Sequence, residues 1–173
     1  LRQIKWGAMV YVNQRIKNFE DMLQMFIRGE KEMLSKDNDL EVFVDGPEKF
    51  NRLLQDIDQA KECICVQYYI LKSDKLGLMV QDLLIKKARE GVRVLLLVDG
   101  MGGRKFRLKD RKKLEANGVH LAIFFPGILP KINSHINYRN HRKLVIIDHE
   151  IGYVGGFNVG DEYVNQDPSI GYW

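Results

Sequence analysis

From residue 40 onward the apolar positions switch between two spacings. Residues 40–44, Leu-Glu-Val-Phe-Val, read as a short strand closed by Asp45-Gly46. Pro47 suits the first turn of a helix, and Phe50, Leu53, Leu54 and Ile57 fall on one face of it. Residues 63–71 form a second strand bounded by Lys72-Ser73-Asp74. The helical period returns over 76–89 through Met79, Leu83, Leu84 and Ala88, with Gly91 in the position of a helix C-cap. Residues 92–98 are almost uninterruptedly apolar, the pattern of a strand buried on both faces. A basic helical segment precedes Asn117-Gly118, and 119–125 is another strand. This β-α-β-α-β-α-β order predicts an α/β layered domain, a largely parallel sheet flanked by helices on both faces. Residues 143–147 and 152–154 flank the turn Asp148-His149-Glu150 as a hairpin, which makes the sheet mixed.

Residues 1–36 stand apart. From Ile16, the residues Phe19, Leu23, Phe26 and Ile27 recur at helical spacing among charged residues, predicting an amphipathic helix. Such a helix packs on a core or lies on a membrane or dimer surface. The polar cluster from Ser35 to Asp39 reads as a linker, so two parts are expected: a helix and linker over 1–36 and a catalytic half-domain over 37–173.

At 173 residues, 45% hydrophobic and 29% charged, the chain has the composition of a folded domain rather than a disordered tail. The net charge of +4 favours anionic partners without choosing among them. Cys63 and Cys65 lie two apart in an apolar run, poorly placed to bond each other, and are read as buried reduced thiols. No run approaches the ~18 apolar residues of a membrane span, and Leu1-Arg2-Gln3-Ile4-Lys5 does not open a signal peptide. With Leu1 in place of an initiating Met, the expectation is a soluble segment of a longer protein.

The chemistry is concentrated in Asn140-His141-Arg142-Lys143 and the apolar run to Asp148, followed by Gly155-Gly156-Phe157-Asn158. Residues two apart on a strand share a face, so the His141 imidazole and Lys143 ammonium address one space. Lysine neutralises phosphate oxygens, and histidine attacks phosphorus or moves a proton, without a metal or cofactor. Gly155 and Gly156 let backbone approach a ligand, and Asn158 adds a neutral donor. Asp148, an odd number of residues from His141, falls on the opposite face and reads as structural.

Residues 137–143, Asp148 and 155–163 closely resemble the first catalytic motif of bacterial cardiolipin synthases of the phospholipase D superfamily. Asp45-Gly46, Val66-Gln67-Tyr68-Tyr69-Ile70, Gly91-Val92-Arg93-Val94 and Leu97-Val98-Asp99-Gly100 follow that family's order, so the likeness covers about residues 40–173. It implies a phosphatidyltransferase acting on phosphatidylglycerol, with His141 forming a covalent phosphatidyl-histidine and Lys143 and Asn158 holding the phosphate. It also implies a parent protein at the cytoplasmic face of the cell membrane. The family uses two such motifs, whereas this chain has one His-x-Lys, so the second would come from the rest of the protein or a second copy. A carboxylate usually orients such an imidazole; Asp161, Glu162 and Asp167 are candidates, and the resemblance points to one just beyond Tyr172-Trp173.

Weaker signals complete the picture. Arg104, Lys105, Arg107, Lys109, Arg111, Lys112 and Lys113 make a basic run suited to an anionic membrane surface or to a solvated helix face. The apolar loop 124–130 reads as packed back on the core. Gly100-Met101-Gly102-Gly103 resembles a small phosphate nest, Asp99 a turn residue, and His120, His135 and His149 ordinary surface histidines. Alternative functions are a phosphodiesterase acting on nucleic acid, disfavoured by the lack of interleaved aromatic and basic residues, or a non-catalytic membrane-docking or dimerisation module.

Overall fold

The structure, a computed structural model, describes residues 38–126 and 139–171 together with Phe19, Asp21, Met22 and Met25. The chain divides into two units, residues 1–42 and 43–173. In the first, Asp21, Met22 and Met25 are helical, and both methionines and Phe19 are exposed. The remainder of the helix expected from Ile16 lies outside the described residues, as do the loop 127–130, His135 and Tyr172-Trp173.

The second unit is built on a five-stranded sheet in the order β3-β2-β1-β4-β5. Strands β1 (Cys63–Tyr68), β2 (Arg93–Asp99) and β3 (His120–Phe124) pair in parallel, while β4 (Leu144–Ile147) and β5 (Ile151–Val154) form an antiparallel hairpin whose first strand joins β1. Helices α1 (Gly46–Gln59), α2 (Lys75–Arg89) and α3 (Leu108–Ala116) precede or connect the parallel strands. The hairpin turn holds Asp148 and His149 at φ 50° and 61°, a left-handed conformation that short polar side chains tolerate better than branched ones.

Local chemistry starts the helices. Asp45 caps α1 by accepting from the Glu48 N–H at 2.8 Å, with proline in the first turn. Gly46 lies so close to the Tyr163 carbonyl that an added Cβ would stand 1.5 Å from its oxygen, so no larger residue fits. Asp74 caps α2 through Gly77 N–H at 3.0 Å and accepts from Asp161 N–H at 2.9 Å. The Asp161 carboxylate in turn accepts from Lys75 and Leu76 N–H. This exchange fastens the 3₁₀ turn Asp161–Val164 to the start of α2. A parallel bridge between Leu71 and Val159 then draws the segment after β5 beside the end of β1.

All three helices bury their apolar faces in one core with Ile64, Val66, Tyr68, Val94, Leu96, Val98, Val145 and Ile147, alternate positions on one side of the sheet. The expectation of helices on both faces is met on this face alone among the described residues. On the other, Leu95 is exposed and Cys65, Leu97, Leu144 and Ile146 are half-buried. The apolar run 92–98 is therefore not doubly buried; its burial alternates as in a strand with one covered face. Residues 40–44 are not a strand either. Leu40, Val42 and Val44 are exposed without strand pairing, and only Phe43 turns inward, stacking with Tyr153 at 6.2 Å. Alternation predicts a strand only where a partner edge exists to receive it. The strand expected over 63–71 ends at Tyr68, after which the chain turns toward α2.

Candidate active site

The ends of β1, β2 and β5 and the beginning of β4 lie together, the sheet edge where α/β folds commonly place ligands. The β1–β4 ladder pairs Gln67 with Leu144, so one further step along it brings Tyr68 beside Lys143. Lys143 thus continues the covered face of Val145 and Ile147, and it is only 7% exposed. Burial lowers its pKa from the ordinary lysine value.

His141 precedes the strand and is exposed, yet it meets Lys143 as the two-residue spacing predicts. Lys143 Nζ donates to the His141 carbonyl at 2.8 Å and lies 2.8 Å from Nδ1 and 3.2 Å from Nε2 of the ring. An ammonium has only donors, so toward the ring it can only donate to an accepting nitrogen. The Tyr69 ring packs against the imidazole at a 48° tilt, with centroids 4.6 Å apart, and lies 5.6 Å from Lys143 Nζ. An aromatic face is a favourable neighbour for that ammonium.

Asn158 is 5% exposed and already braced: its Oδ1 accepts from Ile70 N–H at 3.1 Å and its Nδ2 donates to Tyr163 Oη at 2.8 Å. Among the described residues one carboxamide N–H has no acceptor, so it can serve a phosphate, while the carboxamide oxygen holds the backbone just beyond β1 in place. Gly155 and Gly156 are exposed, with nothing within 4 Å of where a Cβ would stand, so that side of the site is open. Gly155 N–H reaches the Lys143 carbonyl at 3.4 Å.

Asp148 lies at the far end of β4. Its carboxylate accepts from the backbone N–H groups of Lys61, Glu62 and Cys63 at 2.8, 2.8 and 2.9 Å, closing the α1–β1 turn. None of the three carboxylates expected to orient His141 contacts it. Asp161 caps α2, Glu162 pairs with Lys72, and Asp167 accepts from Ser169. The basic run also divides. Arg107 pairs with Asp110 and Lys113 with Asp82, both at 2.7 Å. Arg111 turns inward to the carbonyls of Gly103 and Phe106. Arg104, Lys105, Lys109 and Lys112 remain exposed and form no salt bridge among the described residues. His120 is exposed, and His149 lies 3.3 Å from the buried Cys63 thiol.

Two contributors went unassigned in the sequence reading. Tyr69 stands in the Tyr68-Tyr69 pair at the end of β1, but only the fold shows that its ring meets His141. The Gly-Met-Gly-Gly segment, read as a nest, instead backs the site. A Cβ on Gly102 would approach the Tyr69 carbonyl oxygen to 2.2 Å.

Residues 53–169 match the family model described as cardiolipin synthase, PLD-like domain. The full chain is 51% identical to the major cardiolipin synthase ClsA of Bacillus subtilis (strain 168), of which it covers 36%. Over 93% of its length it is 48% identical to a cardiolipin synthase of Staphylococcus aureus (strain Mu50 / ATCC 700699), covering 33% of that protein. The chain therefore spans about a third of the length of these curated relatives. The fold is similar to Nuc, a phospholipase D family member from Salmonella typhimurium, with a TM-score of 0.53 at 21% identity over 68% of each chain. The H. pylori protein NucT gives 0.50 at 16% identity, covering 70% of this chain and 74% of its own. With more than half of its residues matched by the family model, the chain belongs to the cardiolipin synthase, PLD-like domain family.

Proposed function

We propose that the complete protein transfers a phosphatidyl group from one phosphatidylglycerol to another, giving cardiolipin and glycerol, with His141 as the carrier. The observation that carries this reading is Lys143 Nζ at 2.8 Å from His141 Nδ1 in a chain matched by this family model. An ammonium has only donors, so the ring nitrogen it meets is an acceptor. When a phosphodiester enters, its oxygen replaces the ring as acceptor from Lys143, and the freed lone pair is directed at phosphorus. The N–P bond forms as the P–O bond to the glycerol headgroup breaks. A second histidine, outside this chain or on another copy, protonates the departing oxygen. The hydroxyl of a second phosphatidylglycerol then attacks phosphorus, its proton passes to that histidine, and the N–P bond breaks. Two displacements through histidine replace one difficult step.

In this scheme Lys143 and the remaining Asn158 N–H hold phosphate oxygens, Gly155 and Gly156 leave room for the lipid, and Asp148 supports the hairpin. The exposed Arg104, Lys105, Lys109 and Lys112 meet an anionic membrane surface on the cytoplasmic side. Among the described residues no helix is long and apolar enough to cross a membrane.

The test uses the full-length enzyme with phosphatidylglycerol labelled at phosphorus. Acid quenching during turnover is expected to be poor at preserving the adduct, and alkaline quenching good, because phosphoramidates of histidine are acid-labile. Label should map to His141, and His141→Asn should lose the adduct and at least about a thousandfold of turnover, the scale on which a covalent route is lost. Turnover above a tenth of wild type in His141→Asn would exclude His141 as carrier. Labelling from a nucleic-acid phosphodiester instead of the lipid would move the substrate class.

A further inference from the structure

We propose that Asp99 is the positioning residue that holds His141 in line with the phosphorus it attacks, an inference that rests on the role of His141 given above. Asp99 ends β2, is 1% exposed, and has both oxygens engaged by backbone. Oδ1 accepts from Met101 N–H at 2.8 Å and Gly102 N–H at 3.1 Å, while Oδ2 accepts from Asn140 N–H at 3.1 Å. Asn140 immediately precedes His141, and its own Oδ1 accepts from Arg142 N–H at 3.3 Å, folding the backbone around the histidine.

The other oxygen acts through the loop beside Tyr69. By holding Met101 and Gly102, it fixes the loop that abuts the Tyr69 carbonyl, and the Tyr69 ring contacts the imidazole with centroids 4.6 Å apart. One carboxylate therefore secures both the residue before His141 and the loop beside the ring that packs against it. A simple turn at the end of β2 needs one oxygen only. The second oxygen, reaching across 41 residues to Asn140, serves the catalytic loop. In-line attack tolerates little displacement, and a shift of about 1 Å commonly costs on the order of a hundredfold in rate.

Asp99→Asn separates the two tasks. Its carboxamide oxygen can keep the turn, but its NH₂ then faces the Asn140 N–H and the tie is lost. In the full-length enzyme the expected result is a fall in kcat of about a hundredfold with KM within about threefold, because Lys143 still holds phosphate. Leu114→Ala, in the buried core and without a hydrogen bond to Asp99 or Asn140, serves as the destabilised control, assayed below both melting temperatures. Should Asp99→Asn not fold, Asn140→Pro removes the donated N–H from the other side and carries the same expectation. A kcat within threefold of wild type, or a loss no greater than that of Leu114→Ala, overturns the proposal while His141→Asn stays inactive. An active His141→Asn overturns instead the reading on which the proposal rests, and the proposal with it.

Discussion

At one end of β4, Lys143 turns its ammonium onto His141; at the other, Asp148 turns its carboxylate onto three backbone N–H groups of the α1–β1 turn. Both residues belong to one short motif, separated by four apolar positions. Their surroundings differ in what is left unsatisfied. Burial would raise the Asp148 pKa, but the N–H groups of Cys63, Glu62 and Lys61, helped by the charge of Lys87, bring it below the ordinary value. That carboxylate is fully engaged and holds structure. Lys143 rests instead on a ring and a carbonyl that a phosphate can replace. The His141 end has its own engaged carboxylate in Asp99, which lies outside the His-x-Lys motif. Membership of a motif and proximity to chemistry are thus separable.

The sharpest way to break this contrast is a matched pair of variants in the full-length enzyme. Lys143→Met should lower kcat/KM by on the order of a hundred- to a thousandfold, the usual cost of losing one charge-stabilising donor. Asp148→Asn should instead cost roughly 1–3 kcal/mol of stability, because one backbone N–H is left facing an NH₂. At temperatures where it is folded, its turnover should stay within a few-fold of wild type. The sign with pH is also set. Since the folded pKa of Asp148 is depressed, its contribution is complete above the unfolded value of about 4 and disappears as pH falls through the folded value. Denaturation from neutral to acid pH measures this, and Asp148→Asn should lose that share of the acid sensitivity. A catalytic defect in Asp148→Asn as deep as that of Lys143→Met would abolish the distinction.

A second lysine at the active end extends the comparison. Lys49, on α1, is 8% exposed and donates to Tyr68 Oη at 2.8 Å, with no carboxylate beside it among the described residues. Burial pushes its pKa down to about 7 and that of Tyr68 up. An unfolded lysine keeps its proton to above about pH 10, so between about 7 and 10 the unfolded state binds more protons and stability rises with pH. Lys49→Met carries no such term. Its stability relative to wild type should therefore rise as pH falls from about 10 to 7, by on the order of 3 kcal/mol, and then level off. Chemical denaturation across that range reads the difference. A difference independent of pH would show that Lys49 keeps its proton in the fold.

What the sequence made legible follows from how local each signal is. The helix start at Asp45-Gly46-Pro47, the hairpin around Asp148 and the meeting of His141 with Lys143 depend on neighbours within a few residues, and each is present. Contacts between distant segments were not legible. The Asp99–Asn140 hydrogen bond spans 41 residues, and the tilted contact of Tyr69 with His141 depends on β4 lying beside β1. Asp161, Glu162 and Asp167 had suitable charge and place in the chain, but capping and pairing demands nearer to each engaged them first. Hydrophobic patterning also misled twice. It made 40–44 a strand without a partner edge and 92–98 a doubly covered one.

The basic run repeats the same lesson at smaller energies per residue. Charge density alone treats its seven cations as equivalent, yet Arg107 and Lys113 are ion-paired and Arg111 braces the loop from within. An unpaired cation near an anionic surface contributes about 1 kcal/mol, roughly fivefold in affinity, and this fades with salt. Replacing Arg104, Lys105 and Lys112 with Gln in the full-length enzyme should therefore weaken binding to phosphatidylglycerol vesicles at low salt by about a hundredfold in all. Arg107→Gln and Lys113→Gln should each change it by less than about threefold, since their acidic partners already offset their charge. Vesicle sedimentation over a salt series distinguishes the two sets. Equal losses per residue would mean that net charge alone governs attraction to the membrane, and that the internal pairing seen along this segment has no bearing on it.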